Sequence, residues 1–423
     1  MVPSKYLKGW RMVPSHVCKR WRDLSLSTPI HWAYVSAEVK GVDEEKISRE
    51  LECAQAWLAR SGSCPLTIKV AYNGNQPAHW KRLMDFFLPC CDRWRHAKIF
   101  SSSKMPADLS SIKDKLPLLE ALTLELPQPP KGAPFGNAPK LRQLKITLCD
   151  DERDDERDEG PGAVFVFPWS QLTHVKLRFL TEQECWWIMQ KLHNVVSLAV
   201  GQFAAWGDPP QPHYQMLRLE HLKRLTFQWF KTNSGFAGFH EHLDVPSMTN
   251  YCYHDRLGAT WSLPSFQSLL SRRSSCRLVS VSLILHTMEI DDLPLVLQCI
   301  PDVSHFDFNG HSMYVNQVQT LLTASPFLLP RLEHLTLHHD MYFNPHLLLA
   351  MIESRMVDYR CTRLRKVTIS EFYDWRVLDE EVCERLEQLA LTVRRETFQM
   401  SVSLHGTADG FRSEGWTSYG DAI

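Results

Sequence analysis

The sequence predicts an α/β solenoid, with parallel strands on an inner curve and helices outside. Three observations carry this prediction. An apolar triplet at positions i, i+3 and i+5 recurs ten times between Leu119 and Ile369. The copies begin on average about 27 residues apart. The stretches between them change from a strand-like to a helix-like hydrophobic period.

The copies are LEALTL from Leu119, LRQLKI from Leu141, LTHVKL from Leu172, VVSLAV from Val195 and LKRLTF from Leu222. MTNYCY from Met248, LVSVSL from Leu278, VSHFDF from Val303, LEHLTL from Leu332 and LRKVTI from Leu364 complete the set. WRHAKI from Trp94 is a degenerate earlier copy. One match would be noise because leucine is common, but ten at near-constant spacing are not. Residues two apart on a strand share a face, so i+3 and i+5 are buried together, and the first apolar residue turns the chain into the strand. The period and the L-x-x-L-x-L core are those of leucine-rich repeats, which form a horseshoe of parallel inner strands and outer helices.

Helices are expected between copies. Thr181 and Glu184 have capping-box spacing at the start of a helix reaching Leu192. Residues 293–299, 315–322 and 346–357 have the same period. Pro117, Pro301, Pro326 and Pro330 fall where a helix must stop. Glu44–Arg60 reads as a helix before PLTIKV (65–70), the expected first strand of the array. Residues 379–395 read as a C-terminal helix, and Phe398, Met400, Val402 and Leu404 alternate as a closing strand. The expected organisation is a helical segment at 1–40, repeats over 41–405 and a mobile glycine-bearing tail at 406–423. The run DDERDDERDE (150–159) is too charged for a core and reads as a solvated insertion in the repeats, or as an acidic docking site for a basic partner.

Composition narrows the function. Lys plus Arg is 47 against 48 for Asp plus Glu, so the basic excess of a nucleic-acid binder is absent. No apolar run approaches the roughly 18–20 residues of a membrane span, and no secretory leader is visible at the N-terminus. The 12 cysteines include no Cys-x-x-Cys and read as reduced core thiols, which points to a cytoplasmic or nuclear protein. Glycine-rich phosphate loops, nucleophile elbows and His-Glu-x-x-His are all missing, so the expectation is a binding protein, not an enzyme, with no cofactor. Cys18 beside Lys19 has charged neighbours, but its place on a helix favours a packing role.

Residues 16–35 read HVCKRWRDLSLSTPIHWAYV. Val17, Trp21 and Leu24 fall on one helix face, and Pro29 is expected to end the turn that follows. Val17, Cys18, Lys19, Trp21, Arg22, Leu24, Pro29 and Trp32 match the second half of the F-box pattern, V-C-[K/R]-x-W-R-x-L followed by P-x-L-W. With WLARSG (57–62) before PLTIKV, and PWSQLTHVKL (168–177), the chain resembles the F-box/leucine-rich-repeat family of mushroom-forming fungi over nearly its whole length. The family's opening L-P-x-E-[IL]-L-x-x-I-F helix has no counterpart in residues 1–15, so the F-box reads as truncated.

The resemblance implies a substrate-recognition subunit of a Skp–cullin–F-box ubiquitin ligase. Val17, Cys18, Trp21, Leu24, Pro29 and Trp32 would face the Skp-type adaptor, which links to the cullin, and the repeats would hold an unknown protein substrate. The alternative is a repeat scaffold that binds a protein without recruiting a ligase, because the first F-box helix is missing. Neither reading calls for nucleic acid or membrane.

Positions i+2, i+4 and i+6 point away from the core, onto the concave face. They include Lys145, His174, Lys176, Arg178, Arg224, His254, His305, Asp307, His334, His338 and Lys366. Lys145, His174, Lys176, Arg178 and Arg224 read as a basic patch suited to an acidic or phosphorylated partner, or simply as soluble surface, or as a face for the chain's own acidic run. His305, Asp307, His334 and His338 have ligand types that zinc accepts, but histidines on open strands are ordinarily surface residues, and no metal is assigned. His338-His339-Asp340 and His240-x-His242 are weaker signals of the same kind.

Overall fold

The computed structural model describes residues 16–41, 43–102, 108–130, 132–148, 166–201, 214–230, 235–256, 261–271, 277–285, 288–310, 312–324, 327–339, 344–357, 360–371, 384–385, 388 and 399–404. Residues 1–15, the acidic run 150–159, the tail 406–423, Phe398 and most of the predicted 379–395 helix lie outside them. Two compact units are present, one ending at Trp169 and the next beginning at Ser170.

The first unit opens with a helix at Lys19–Ser27 and a tight 3₁₀ turn at Pro29–Trp32. Strand β1 (Tyr34–Lys40), the helix Glu44–Arg60, β2 (Leu66–Asn73), the helix Pro77–Phe87, β3 (Trp94–Ser101), β4 (Ala121–Leu126) and β5 (Gln143–Leu148) follow. The strands are parallel, and each neighbours the next in the chain. Helix Glu44–Arg60 packs on β1 and Pro77–Phe87 on β2, as a parallel crossover requires.

The second unit contains β6 (His174–Arg178), β7 (Ser197–Gly201), β9 (Arg224–Phe230), β11 (Asn250–Arg256), β12 (Ser280–Leu285), β13 (His305–Gly310), β14 (His334–His339), β15 (Lys366–Glu371) and β16 (Gln399–Leu404). They too pair in parallel and in chain order. The two-residue strands β8 (Leu217–Arg218) and β10 (Leu243–Asp244) pair separately. Helices Glu182–Met189, Asp292–Gln298, Ser312–Thr323 and Pro345–Val357 lie where the hydrophobic period predicts them.

The triplets account for this architecture. All three apolar positions in all ten copies are at most 5% exposed. Each triplet starts just before its strand, and its second and third members lie on it. One backbone contact repeats at the entrance to β5, β7, β9 and each strand from β11 to β15. The carbonyls of Thr173, Val196, Lys223, Thr249, Val279, Ser304 and Glu333 each accept two consecutive N–H groups from the following copy. Glu120 does the same for Arg142 and Gln143. These bonds bring each of those strands into the same register as the strand before it.

The structure corrects several expectations. The parallel array starts at β1, not at 65–70, because Tyr34–Lys40 pairs with β2 and buries Val35, Ala37 and Val39. The mixture of serine and alanine in that strand hides its alternation. Pro29 opens the 3₁₀ turn, where its missing N–H costs nothing, and does not end one. Helices at Pro77–Phe87, Gly235–His242 and Leu263–Ser271 were not anticipated. Among the described residues all nine cysteines are free, but only Cys90, Cys91, Cys185 and Cys361 are buried, and Cys18 is exposed instead of packed. No helix among the described residues is long and apolar enough to cross a membrane.

Candidate functional site

Two surfaces carry the residues singled out by sequence. The first is the N-terminal helix. Trp21 is 53% exposed, Leu24 61% and Ile30 on the following turn 63%. Val17 is 61% exposed too, but it precedes the helix across an extended Cys18 (φ −158°, ψ 173°), so the single helix face expected for Val17, Trp21 and Leu24 is interrupted there. An amphipathic helix normally buries such a face, so this is an apolar surface that nothing among the described residues covers. Pro29 is exposed as well. Trp32 is different. It is 2% exposed, donates Nε1–H to the Ser25 carbonyl at 2.8 Å, and meets Trp57 edge-on at 5.3 Å between ring centres. The Arg60 guanidinium lies 4.6 Å above its ring. Trp32 therefore anchors the turn, while Val17, Trp21 and Leu24 are displayed.

The second surface is the open face of the sheets, where i+2, i+4 and i+6 form rows across the strands. In the second unit one row runs His174, Ser197, Arg224, Asn250, Ser280, His305, His334 and Lys366. The next begins Lys176, Ala199, Thr226, Cys252, Ser282, Asp307 and Thr336. The third includes Arg178, Gly201, Gln228, His254, Asn309 and His338. His174, Lys176 and Arg178 thus stand along β6 on one face, and Arg224 is separated from His174 by Ser197. Arg178 donates to Oε1 of Gln228 at 2.6 Å. Lys145 belongs to the first unit, where its ammonium pairs with Glu125.

No family model matches the chain, and no curated protein is similar to it. The reading of both surfaces rests on their geometry and on the residue patterns they carry.

The histidine group resolves into two pairs. His305 and His334 are register partners whose rings stack 4.2 Å apart and nearly parallel. Burial lowers both imidazole pKa values, and for His334 the neighbouring His305 lowers it further. Two stacked rings held in this way favour the neutral form. His338 on β14 lies diagonally opposite Asp307 on the adjacent β13, at 3.0 Å, and the Ser282 hydroxyl donates to the same carboxylate at 3.1 Å. No group of three or more potential metal ligands comes together among the described residues. His240 is wholly buried, 2.9 Å from the Tyr251 hydroxyl, and His242 lies against Tyr214. His254 is buried too.

Sequence reading missed Lys98 among the cationic positions of the open face. It stands at i+4 of the degenerate copy from Trp94, the same offset as Lys145 in its own copy. Applying the open-face offsets to that early copy would have found it.

Proposed function

We propose that this protein is the substrate-recognition subunit of a Skp–cullin–F-box ubiquitin ligase, with both units built from leucine-rich repeats. The observation that carries the reading is the exposure of Trp21 and Leu24 on the helix, and of Val17 just before it, beside the buried anchor Trp32. The matched positions of the F-box pattern divide there into a surface and its support. The support is internal to this chain, so the displayed tryptophan and aliphatic groups are available to an adaptor helix. Helix faces of this kind dock through a few apolar anchors. The regular rows on the open face would then present a protein substrate to the ligase, whose other subunits carry out the chemistry.

The test is co-purification of the full chain with a Skp-type adaptor from the same organism. Capture that is lost on Trp21→Ala, with folding unchanged, supports the reading. Failure of the parent chain to hold the adaptor overturns it and leaves a repeat scaffold.

A further inference from the structure

On the open face of the first unit, Lys69, Lys98, Thr123 and Lys145 are consecutive register partners across β2, β3, β4 and β5. Lys69 is paired with Glu38 at 3.0 Å, and Lys145 with Glu125. Lys98, between two paired lysines, makes no ion pair among the described residues. It lines a recess of about 250 Å³ with Lys69, Thr123, Glu125, Ala71 and Phe100. Three ammonium groups against two carboxylates leave one positive charge, centred on Lys98. Its pKa is lowered by burial first and then by the flanking Lys69 and Lys145.

Size and charge restrict the occupant. Pockets for drug-sized ligands run from roughly 300 to 1,000 Å³, so this recess is suited to a single side chain. One net charge is matched by a monoanion, and Glu38 and Glu125 would repel a phosphate dianion more strongly than a carboxylate. Ala71 and Phe100 stand two positions beyond Lys69 and Lys98 on the same face. Alternate residues of an extended peptide have that same spacing.

We propose that this recess takes the carboxylate of one Asp or Glu side chain of an extended partner polypeptide, with an apolar side chain two positions along resting on Ala71 and Phe100. The proposal rests on the recognition reading only in taking the ligand to be a polypeptide. It deepens that reading by naming acidic–apolar alternation as the substrate feature.

The experiment uses the full chain, without adaptor, with its lysines carrying isotope-labelled methyl groups that keep their charge. The probes are acetyl-Gly-Glu-Gly-Leu-Gly-amide, its Gln counterpart and inorganic phosphate, followed by NMR. The Lys98 signal should shift saturably with the Glu peptide, with affinity at least about tenfold above that for the Gln peptide, as loss of a charge-assisted bond requires. The Lys98 pKa should rise on binding. In Lys98→Gln the Lys69 and Lys145 signals should stop responding, and in Lys98→Arg they should respond as in the parent, with circular dichroism unchanged in both. Equal shifts with the Gln peptide, tighter binding of phosphate, or an undiminished response in Lys98→Gln would each overturn the proposal. Because the adaptor is absent, these outcomes are independent of whether the N-terminal helix recruits a ligase.

Discussion

Arg178 reaches Gln228 by crossing a strand that has no side chain at the crossing point. Nη2 donates to Oε1 at 2.6 Å, and the residue between them in register is Gly201. A Cβ at Gly201 would lie 2.6 Å from both Cβ and the carbonyl oxygen of Gln228. Neither can move without shifting β9. Gly201→Ala should therefore lower stability by about 2 kcal/mol, the scale of overpacking in a tight site. Urea unfolding of the two proteins, compared at their midpoints, measures this, and an unchanged midpoint would contradict the close approach.

Arg355 is wholly buried in the helix Pro345–Val357, and no carboxylate among the described residues pairs with it. Its guanidinium donates to the carbonyls of Leu322 at 3.1 Å, Leu329 at 3.0 Å and Leu328. Leu329 has φ of +51°, an unfavourable conformation for a leucine that this clamp helps to hold. Burial brings the Arg355 pKa down to about 10, so it remains charged at neutral pH. Arg355→Met would strand these carbonyls and should cost about 3 kcal/mol. Arg355→Lys should recover only part of that loss, because an ammonium cannot reproduce the planar fork. Thermal unfolding of the three proteins gives the ranking directly.

Glu182 begins the helix whose capping box joins Thr181 and Glu184. Burial raises its pKa from the ordinary 4.5 to about 7. The folded chain holds this proton more tightly than the unfolded chain. Its contribution to stability is therefore full below pH 4.5, is lost as the pH rises from there through about 7, and is flat above that. Glu182→Gln should remove this decline and leave the variant more stable than the parent at pH 8. Denaturant midpoints collected from pH 4 to 8 would show it, and parallel profiles for the two proteins would refute it.

Gln319 is fully buried in the helix Ser312–Thr323, and neither its side-chain oxygen nor its nitrogen has a hydrogen-bond partner among the described residues. A buried amide left in this state costs about 1–3 kcal/mol. Gln319→Met, similar in length and without the amide, should raise the melting temperature, and a lower value would show that the amide has a partner in solution.

Trp21 and Trp32 should respond oppositely to truncation. Trp21→Ala removes an exposed ring and should change stability by less than about 0.5 kcal/mol. Trp32→Ala removes a buried one, with its bond to Ser25 and its packing on Trp57, and should cost about 3–5 kcal/mol. Calorimetry on both separates display from support. Comparable losses would mean that the helix packs against its own chain.

The repeat was legible from the chain alone because its cause is local. Each triplet needs only three apolar side chains within six residues to be buried, and the spacing of the copies gives the parallel, strand-by-strand order. The capping box at Thr181 and Glu184 was equally readable, since both of its bonds form within one turn, at 3.2 and 2.7 Å. That His305 stands beside His334 was legible from their equal offsets, whereas the stacking of their rings appears only in the structure. Tertiary structure alone decided which open-face groups meet diagonally or across an intervening strand. His338 reaches Asp307, Arg178 reaches Gln228 over Gly201, and Lys98 is left between two lysines whose carboxylates come from other strands. Those outcomes depend on side-chain reach between residues 20 to 50 positions apart, including 50 for Arg178 and Gln228. They also depend on which neighbour lacks a side chain. Hydrophobic period, which records burial alone, is silent on both.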